Sequence, residues 1–333
     1  MKHELLLCAV LVGAALTARA TRADACTIHG NVQVVTYWDG SSAYNPAVSG
    51  DDRCSPKPGG GQTCQLQGYY ITPSPTPSGA LPTVLFVHGS GSTMPSLYCE
   101  TLNAFVDRGY VVFAPVMRGV AGSLGGAPSF ATNTGVYIET WASNKATSSC
   151  GTACQTVAYM KKESRDLDSA IHWLVQAHPT RTDLGRLALV GHSYGGATVT
   201  IANASTSLLT YTPTVAVSLS GAGMSWSPGS AWEDGLNDAA DHARAPSYFQ
   251  RVLNESPIAP SIGSALEPYD HVVAAGGNAR LAAYGAYTPV NTSLCNDTTP
   301  NWHNVHCAFV NEAGGVAIWI DGVVQFFRDY GIE

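Results

Sequence analysis

The hexapeptide Gly191-His192-Ser193-Tyr194-Gly195-Gly196 has the residue types and spacing of a nucleophile turn. It follows the apolar run 187–190 and precedes the helix-compatible stretch 197–204, so a strand should bend sharply into a helix with Ser193 at the bend. Gly191 and Gly195 have no Cβ, which lets neighbouring segments approach closely. A helix N-terminus just beyond Ser193 would offer N–H groups and positive potential to a developing oxyanion. The chemistry implied is attack of a serine oxygen on a carbonyl carbon. A serine hydroxyl is a weak nucleophile at neutral pH, so it needs an adjacent base and a group that holds the base.

Where such a turn sits on an open α/β sheet, the chain order is serine, then acid, then histidine. The histidines downstream of Ser193 are His242, His271, His303 and His306. His306 precedes Cys307-Ala308-Phe309 and lies shortly before a C-terminal helical pattern, where the loop after the last strand is expected. His303 is its rival, and His242 and His271 read as surface or polar-network residues. His303 and His306 form H-x-x-H, but no third ligand accompanies them, and no metal or cofactor is called for. For the acid, 245–255 reads as a strand running into a loop, with Glu255 at the loop and Asp270 and Asp241 in reserve. Activity should rise as His306 loses its proton, because only the neutral ring can accept the proton from Ser193.

The elements that must position these residues are legible from hydrophobic pattern. The runs 83–88, 110–114, 187–190 and 215–219 are short and nearly continuously apolar, as strands buried on both faces of a parallel sheet are. Leu167, Ala170, Ile171 and Leu174 have the spacing of one helix face, and so do Val316, Trp319, Ile320, Val323, Val324 and Phe327. Alternating strand and helix predicts a mostly parallel central sheet with helices on both faces, the α/β class. Residues 26–80 read as an N-terminal extension with short β-like runs at 32–38 and 66–71. The domain proper is expected over 81–333. The Gly-, Ser- and Thr-rich stretch 122–158 is expected as an insertion over the sheet's C-terminal edge, where such folds bind ligands.

Of the 333 residues, 45% are hydrophobic and only 12% charged, which gives a sizeable core. The net charge of −7, with no Lys/Arg cluster, argues against a nucleic-acid partner. Lys2, the apolar run 5–16 and the small-residue sites Ala18-Arg19-Ala20 and Ala23-Asp24-Ala25 have the form of a secretory signal over 1–25. No second apolar run is long enough to span a bilayer. Beyond the signal, Cys26, Cys54, Cys64, Cys99, Cys150, Cys154, Cys295 and Cys307 are an even set, as disulfides in an exported chain would be. Proximity would pair Cys54 with Cys64, Cys150 with Cys154 and Cys295 with Cys307. That leaves Cys26 with Cys99, one of roughly a hundred possible connectivities. Sequons occur at Asn203, Asn254, Asn291 and Asn296.

Taken in order, several stretches resemble the α/β-hydrolase superfamily, and within it proteins labelled dienelactone-hydrolase-like. They are Val87-His88-Gly89, Arg108-Gly109-Tyr110-Val111-Val112, Arg118-Gly119, 166–174, 191–196, Ser220-Gly221-Ala222-Gly223-Met224-Ser225-Trp226, Ala243-Arg244-Ala245-Pro246, Asn254-Glu255, and His306 with Phe309. The resemblance covers roughly residues 80–330. It implies Ser193 as nucleophile, His306 as general base and then acid, and Glu255 as the group orienting His306. It also implies an oxyanion hole from the backbone N–H of Tyr194 and one from the loop after His88-Gly89, assigned to Ser90. His88 itself reads as structural. The family's usual acid is Asp, one methylene shorter than Glu255, and Arg251 falls where the preceding strand should be apolar. Dienelactone hydrolases proper use a cysteine nucleophile, so Ser193 points to ordinary ester chemistry.

The function expected is a secreted or periplasmic serine hydrolase cleaving carboxylic esters, small or at polymer ends, through an acyl-enzyme. A short-peptide peptidase would use the same triad. A non-catalytic binding protein on a hydrolase scaffold is the alternative from a different class.

Overall fold

The computed structural model describes residues 26–38, 54–56, 62–89, 96–117, 151–221, 231–252, 263–290 and 302–333. The elements are β1 (Asn31–Trp38), β2 (Cys54–Pro56), β3 (Gln62–Thr72), β4 (Leu81–Val87), a 3-10 turn (Ser96–Tyr98), α1 (Cys99–Val106), β5 (Val111–Pro115), α2 (Gly151–Ala177), β6 (Thr182–His192), α3 (Tyr194–Ala202), β7 (Val215–Leu219), α4 (Ala231–Asp241), β8 (Ser247–Val252), α5 (Gly263–Ala274), β9 (Ala279–Tyr284), α6 (Trp302–Asn311) and α7 (Ala313–Asp329).

Eight strands lie in the order β1-β3-β5-β4-β6-β7-β8-β9, and β2 pairs with β3. The β1/β3 and β3/β5 pairs are antiparallel, and every pair from β5/β4 to β8/β9 is parallel. This is the mostly parallel sheet the apolar runs predict. The stretch 26–80, set apart in the sequence as an extension, supplies its antiparallel edge through β1 and β3.

Alternation along each central strand explains why the runs are apolar throughout. Val84, Phe86, Val190, Val217 and Leu219 face one core with residues of α1, α6 and α7. Leu85, Val87, Leu187, Leu189 and Ala216 face a second core with residues of α2 and α3. Leu167, Ala170, Ile171 and Leu174 are all fully buried in that second core, and Trp319, Val323 and Phe327 are fully buried in the first. Each fully buried Leu, Ile, Val or Phe among them contributes roughly 1.5–3 kcal/mol by leaving water.

Two stretches differ from expectation. Residues 151–158, read as the end of an insertion, already belong to α2. After Gly151 this segment has no glycine or proline to stop a helix before Ala177; residues 122–150 lie outside the described set. Arg251, which looked out of place in a strand, lies within β8 paired with Ala283 and is buried. Among the described residues, no single helix is long and apolar enough to cross a membrane. The signal over 1–25 lies outside the described residues.

Candidate active site

Two adjacent parallel strands, β4 and β6, deliver the site at their C-terminal ends. β6 ends at His192, α3 begins at Tyr194, and Ser193 is the hinge between them with φ 57° and ψ −124°. A positive φ at a residue bearing a Cβ is strained, and it persists only where the surroundings over-determine it. They do so here. The Ser193 N–H donates to the Leu219 carbonyl at the end of β7 (3.0 Å). The Ser193 carbonyl accepts from the N–H groups of Gly196 (2.9 Å) and Ala197 (3.2 Å). A Cβ at Gly191 would collide with the Gly195 carbonyl, and one at Gly195 with the carbonyls of Val87 and His88. The turn therefore closes only with glycine at both positions.

Ser193 is partly exposed. Tyr194 is the first residue of α3, so its backbone N–H belongs to the first helical turn, at the positive end of the helix dipole. The loop after β4 passes beside it: a Cβ on Gly89 would fall 2.9 Å from the Ser193 Cβ. The Gly89 N–H is already committed, donating to the Tyr98 hydroxyl (2.8 Å). The next N–H along, that of Ser90, lies outside the described residues.

His88 is fully buried and pinned at both ring nitrogens. Its Nδ1–H donates to the Gly89 carbonyl (2.9 Å), and its Nε2 accepts the Met117 N–H (3.0 Å). It ties the ends of β4 and β5 together. Burial pushes its pKa down to about 4, although the bond to Gly89 opposes that shift.

His306 does not lie in a loop. It is in α6, because Val305, Ala308 and Phe309 have helical spacing and all three are buried. His303 shares that helix one turn earlier. The His306 ring packs against His192, the residue before Ser193, with ring centroids 4.5 Å apart. The His306 carbonyl accepts a hydrogen bond from His192 Nε2 (3.1 Å). Burial first, and then the adjacent His306 ring, hold the His192 pKa well below its ordinary 6.5. Tyr98, which nothing in the sequence singled out, bonds His192 Nδ1 through its hydroxyl (2.9 Å). The sequence signal at this point is a histidine next to Ser193; its partner is 94 positions away.

Glu255 lies outside the described residues, three positions past the C-terminal end of β8. The reserve acids lie elsewhere. Asp241 ends α4, six residues before β8 begins, and Asp270 is in the second half of α5, which leads into β9. Both are exposed toward the N-terminal ends of the strands, opposite to Ser193. Asp241 there accepts a bond from His271 (2.9 Å), while His242 bonds the Asp238 carbonyl (2.7 Å). Among the described residues, no group of three or more His, Cys, Asp or Glu could hold a metal ion.

Disulfide chemistry is present: Cys26 bonds Cys99, and Cys307 is disulfide-bonded as well. Cys54 and Cys64 are direct partners in the β2/β3 ladder. Asn203, although part of a sequon, is buried with its amide donating to the Ala245 carbonyl and Ser247 Oγ, which leaves no room for a glycan.

Among solved structures, the chain is similar to the acylaminoacyl peptidase of Pyrococcus horikoshii, at 14% identity and a TM-score of 0.54. That match covers 91% of this chain and 42% of the peptidase, so the chain spans less than half of the peptidase's length. A dienelactone hydrolase from Anabaena variabilis matches at 15% identity and a TM-score of 0.52, covering 91% of this chain and 99% of that one. An esterase of Pyrococcus furiosus matches at 14% identity and a TM-score of 0.52, covering 90% and 93%. The comparison with curated proteins gives no match. A family model described as "Alpha/beta hydrolase family" matches residues 84–323. With that match over most of its length, and a sheet of dienelactone-hydrolase-like topology beneath a strained serine turn, the chain belongs to the α/β-hydrolase family.

Proposed function

We propose that this protein is an exported serine hydrolase that cleaves carboxylic esters through an acyl-enzyme. The observation that carries the reading is Ser193 at the strained strand-to-helix bend, with the His306 helix packed against the preceding residue. The Ser193 oxygen attacks the ester carbonyl carbon while His306 takes its proton. The tetrahedral oxyanion is held by the N–H groups of Tyr194 and Ser90. Collapse breaks the ester C–O bond, and His306 returns the proton to the departing alcohol. Water then enters, gives a proton to His306, attacks the acyl carbon, and releases the acid as the serine hydroxyl is re-formed. Glu255 orients His306 and stabilises its protonated form. Export is supported by the Cys26–Cys99 bond, since disulfides persist in oxidising compartments.

The test is turnover of p-nitrophenyl acetate and butyrate by the wild type and by Ser193→Ala. The variant should lose at least about 10³-fold in kcat, since the nucleophile acts with its base as a unit. Equal rates would refute the assignment. A second reading, cleavage of short peptides, is favoured by the likeness to the acylaminoacyl peptidase. Turnover of aminoacyl-p-nitroanilides in preference to esters would select it.

A further inference from the structure

We propose that Tyr98 and His192 are positioning residues, forming one hydrogen-bonded relay that couples the loop after β4 to the helix carrying His306. The proposal rests on the reading of Ser193 and His306 given above. The direction of each bond follows from chemistry. The His306 carbonyl can only accept, so His192 Nε2 carries the hydrogen on that side. His192 is 2% exposed, and burial keeps it neutral, so its Nδ1 is then an acceptor. The Tyr98 hydroxyl must therefore donate to Nδ1, while its oxygen accepts the Gly89 N–H. The relay runs Gly89 N–H to Tyr98 oxygen, Tyr98 O–H to His192 Nδ1, and His192 Nε2–H to the His306 carbonyl.

Its three anchor points belong to three parts of the reaction. Gly89 immediately precedes the N–H assigned to the oxyanion hole. His192 is bonded in sequence to the nucleophile. The His306 backbone carries the base. A buried network of this kind fixes each group within the tolerance that catalysis demands, and misplacement by about 1 Å can cost about 100-fold. Packing alone does not require the hydroxyl. The Tyr98 ring sits against Phe86 with centroids 5.0 Å apart, a contact phenylalanine would keep.

The experiment uses the full chain, p-nitrophenyl butyrate as substrate, and a fluorophosphonate that labels the active serine. Tyr98→Phe should lower kcat roughly 10- to 100-fold, leave KM within about twofold, and slow labelling in parallel. Its thermal midpoint should fall by no more than about a few degrees, the cost of removing the hydroxyl from the Gly89 N–H and His192 Nδ1. His192→Asn keeps a partner for Tyr98 but cannot reach the His306 carbonyl, so it should be similarly slow. His192→Gln places a donor near the Nε2 position but offers the Tyr98 hydroxyl no acceptor at the Nδ1 position, so it should be slow as well. The Tyr98→Phe/His192→Asn double variant should be no slower than the worse single one, because a relay broken once is already broken. Wild-type kcat in Tyr98→Phe, multiplicative losses in the double variant, or a loss that merely tracks a lowered midpoint would each overturn the relay. A folded wild type that neither labels nor turns over would instead sink the nucleophile reading itself.

Discussion

At the scale of single residues, the site is built from groups whose freedom has been removed. Ser193 holds a positive φ because two glycines let three backbone segments meet around it. His88 holds the ends of β4 and β5 because both ring nitrogens are spent on backbone. That second device has a consequence for acid stability. The unfolded chain protonates His88 near its ordinary 6.5, and the folded chain only at about 4. Between those values the unfolded state binds more protons, so stability falls as pH drops from about 6.5 to about 4, by up to about 3 kcal/mol. His192, shifted in the same direction, adds to the slope. Urea midpoints followed from pH 7 to 4.5 should fall for the wild type, and His88→Gln should flatten part of that fall. An unchanged slope in the variant would show that His88 is not its source.

At the scale of elements, α3, the helix that follows Ser193, is held at both ends by different means. Its N-terminus is fixed by the turn around Ser193. Its C-terminus is fixed by Arg244, whose guanidinium donates to the carbonyls of Ala202 (2.9 Å) and Leu209 (3.0 Å), with Nε toward that of Asn203 (3.4 Å). A cation there also meets the negative end of the helix dipole. Arg244→Met keeps the stem and removes the donors. It should cost about 2 kcal/mol in urea unfolding while leaving fluorophosphonate labelling of Ser193 near the wild-type rate at 20 °C. A large loss of labelling without loss of stability would contradict this division. The same helix shows what the sequence could disclose. Glycine spacing around Ser193 and the apolar runs of β4, β6 and β7 are local signals, and the structure reproduces them. α6 was hidden because its ten residues follow a stretch rich in turn formers, so His306 read as a loop residue. β9 was hidden because no residue of it is fully buried and its sequence has no clean alternation.

At the scale of the whole molecule, the chain is joined across long sequence distances by contacts that local pattern does not encode. The Tyr98–His192 bond is one, and the Cys26–Cys99 bond, which spans 73 positions, is another. Cysteine count and proximity could nominate that pairing but not select it. The bond fastens the segment leading into edge strand β1 to the first residue of α1. Asn103 reinforces the same junction, donating to the Thr27 carbonyl (2.9 Å) and accepting from the His29 N–H (2.9 Å). The neighbour of Cys99 in sequence is Tyr98, so two roles meet at adjacent positions and can be separated. The disulfide acts chiefly by limiting the unfolded chain, and closing a loop of this length stabilises by about 4 kcal/mol in the chain-entropy view. The Tyr98 hydroxyl is held in the folded state by hydrogen bonds that include those to Gly89 and His192. Replacing Cys26 and Cys99 together by serine should therefore lower the urea midpoint strongly yet leave kcat on p-nitrophenyl butyrate at 20 °C within about twofold. Tyr98→Phe should do the reverse. If the double serine variant instead loses kcat while still fully folded, the covalent tie and not the hydrogen bonds sets the position of Tyr98.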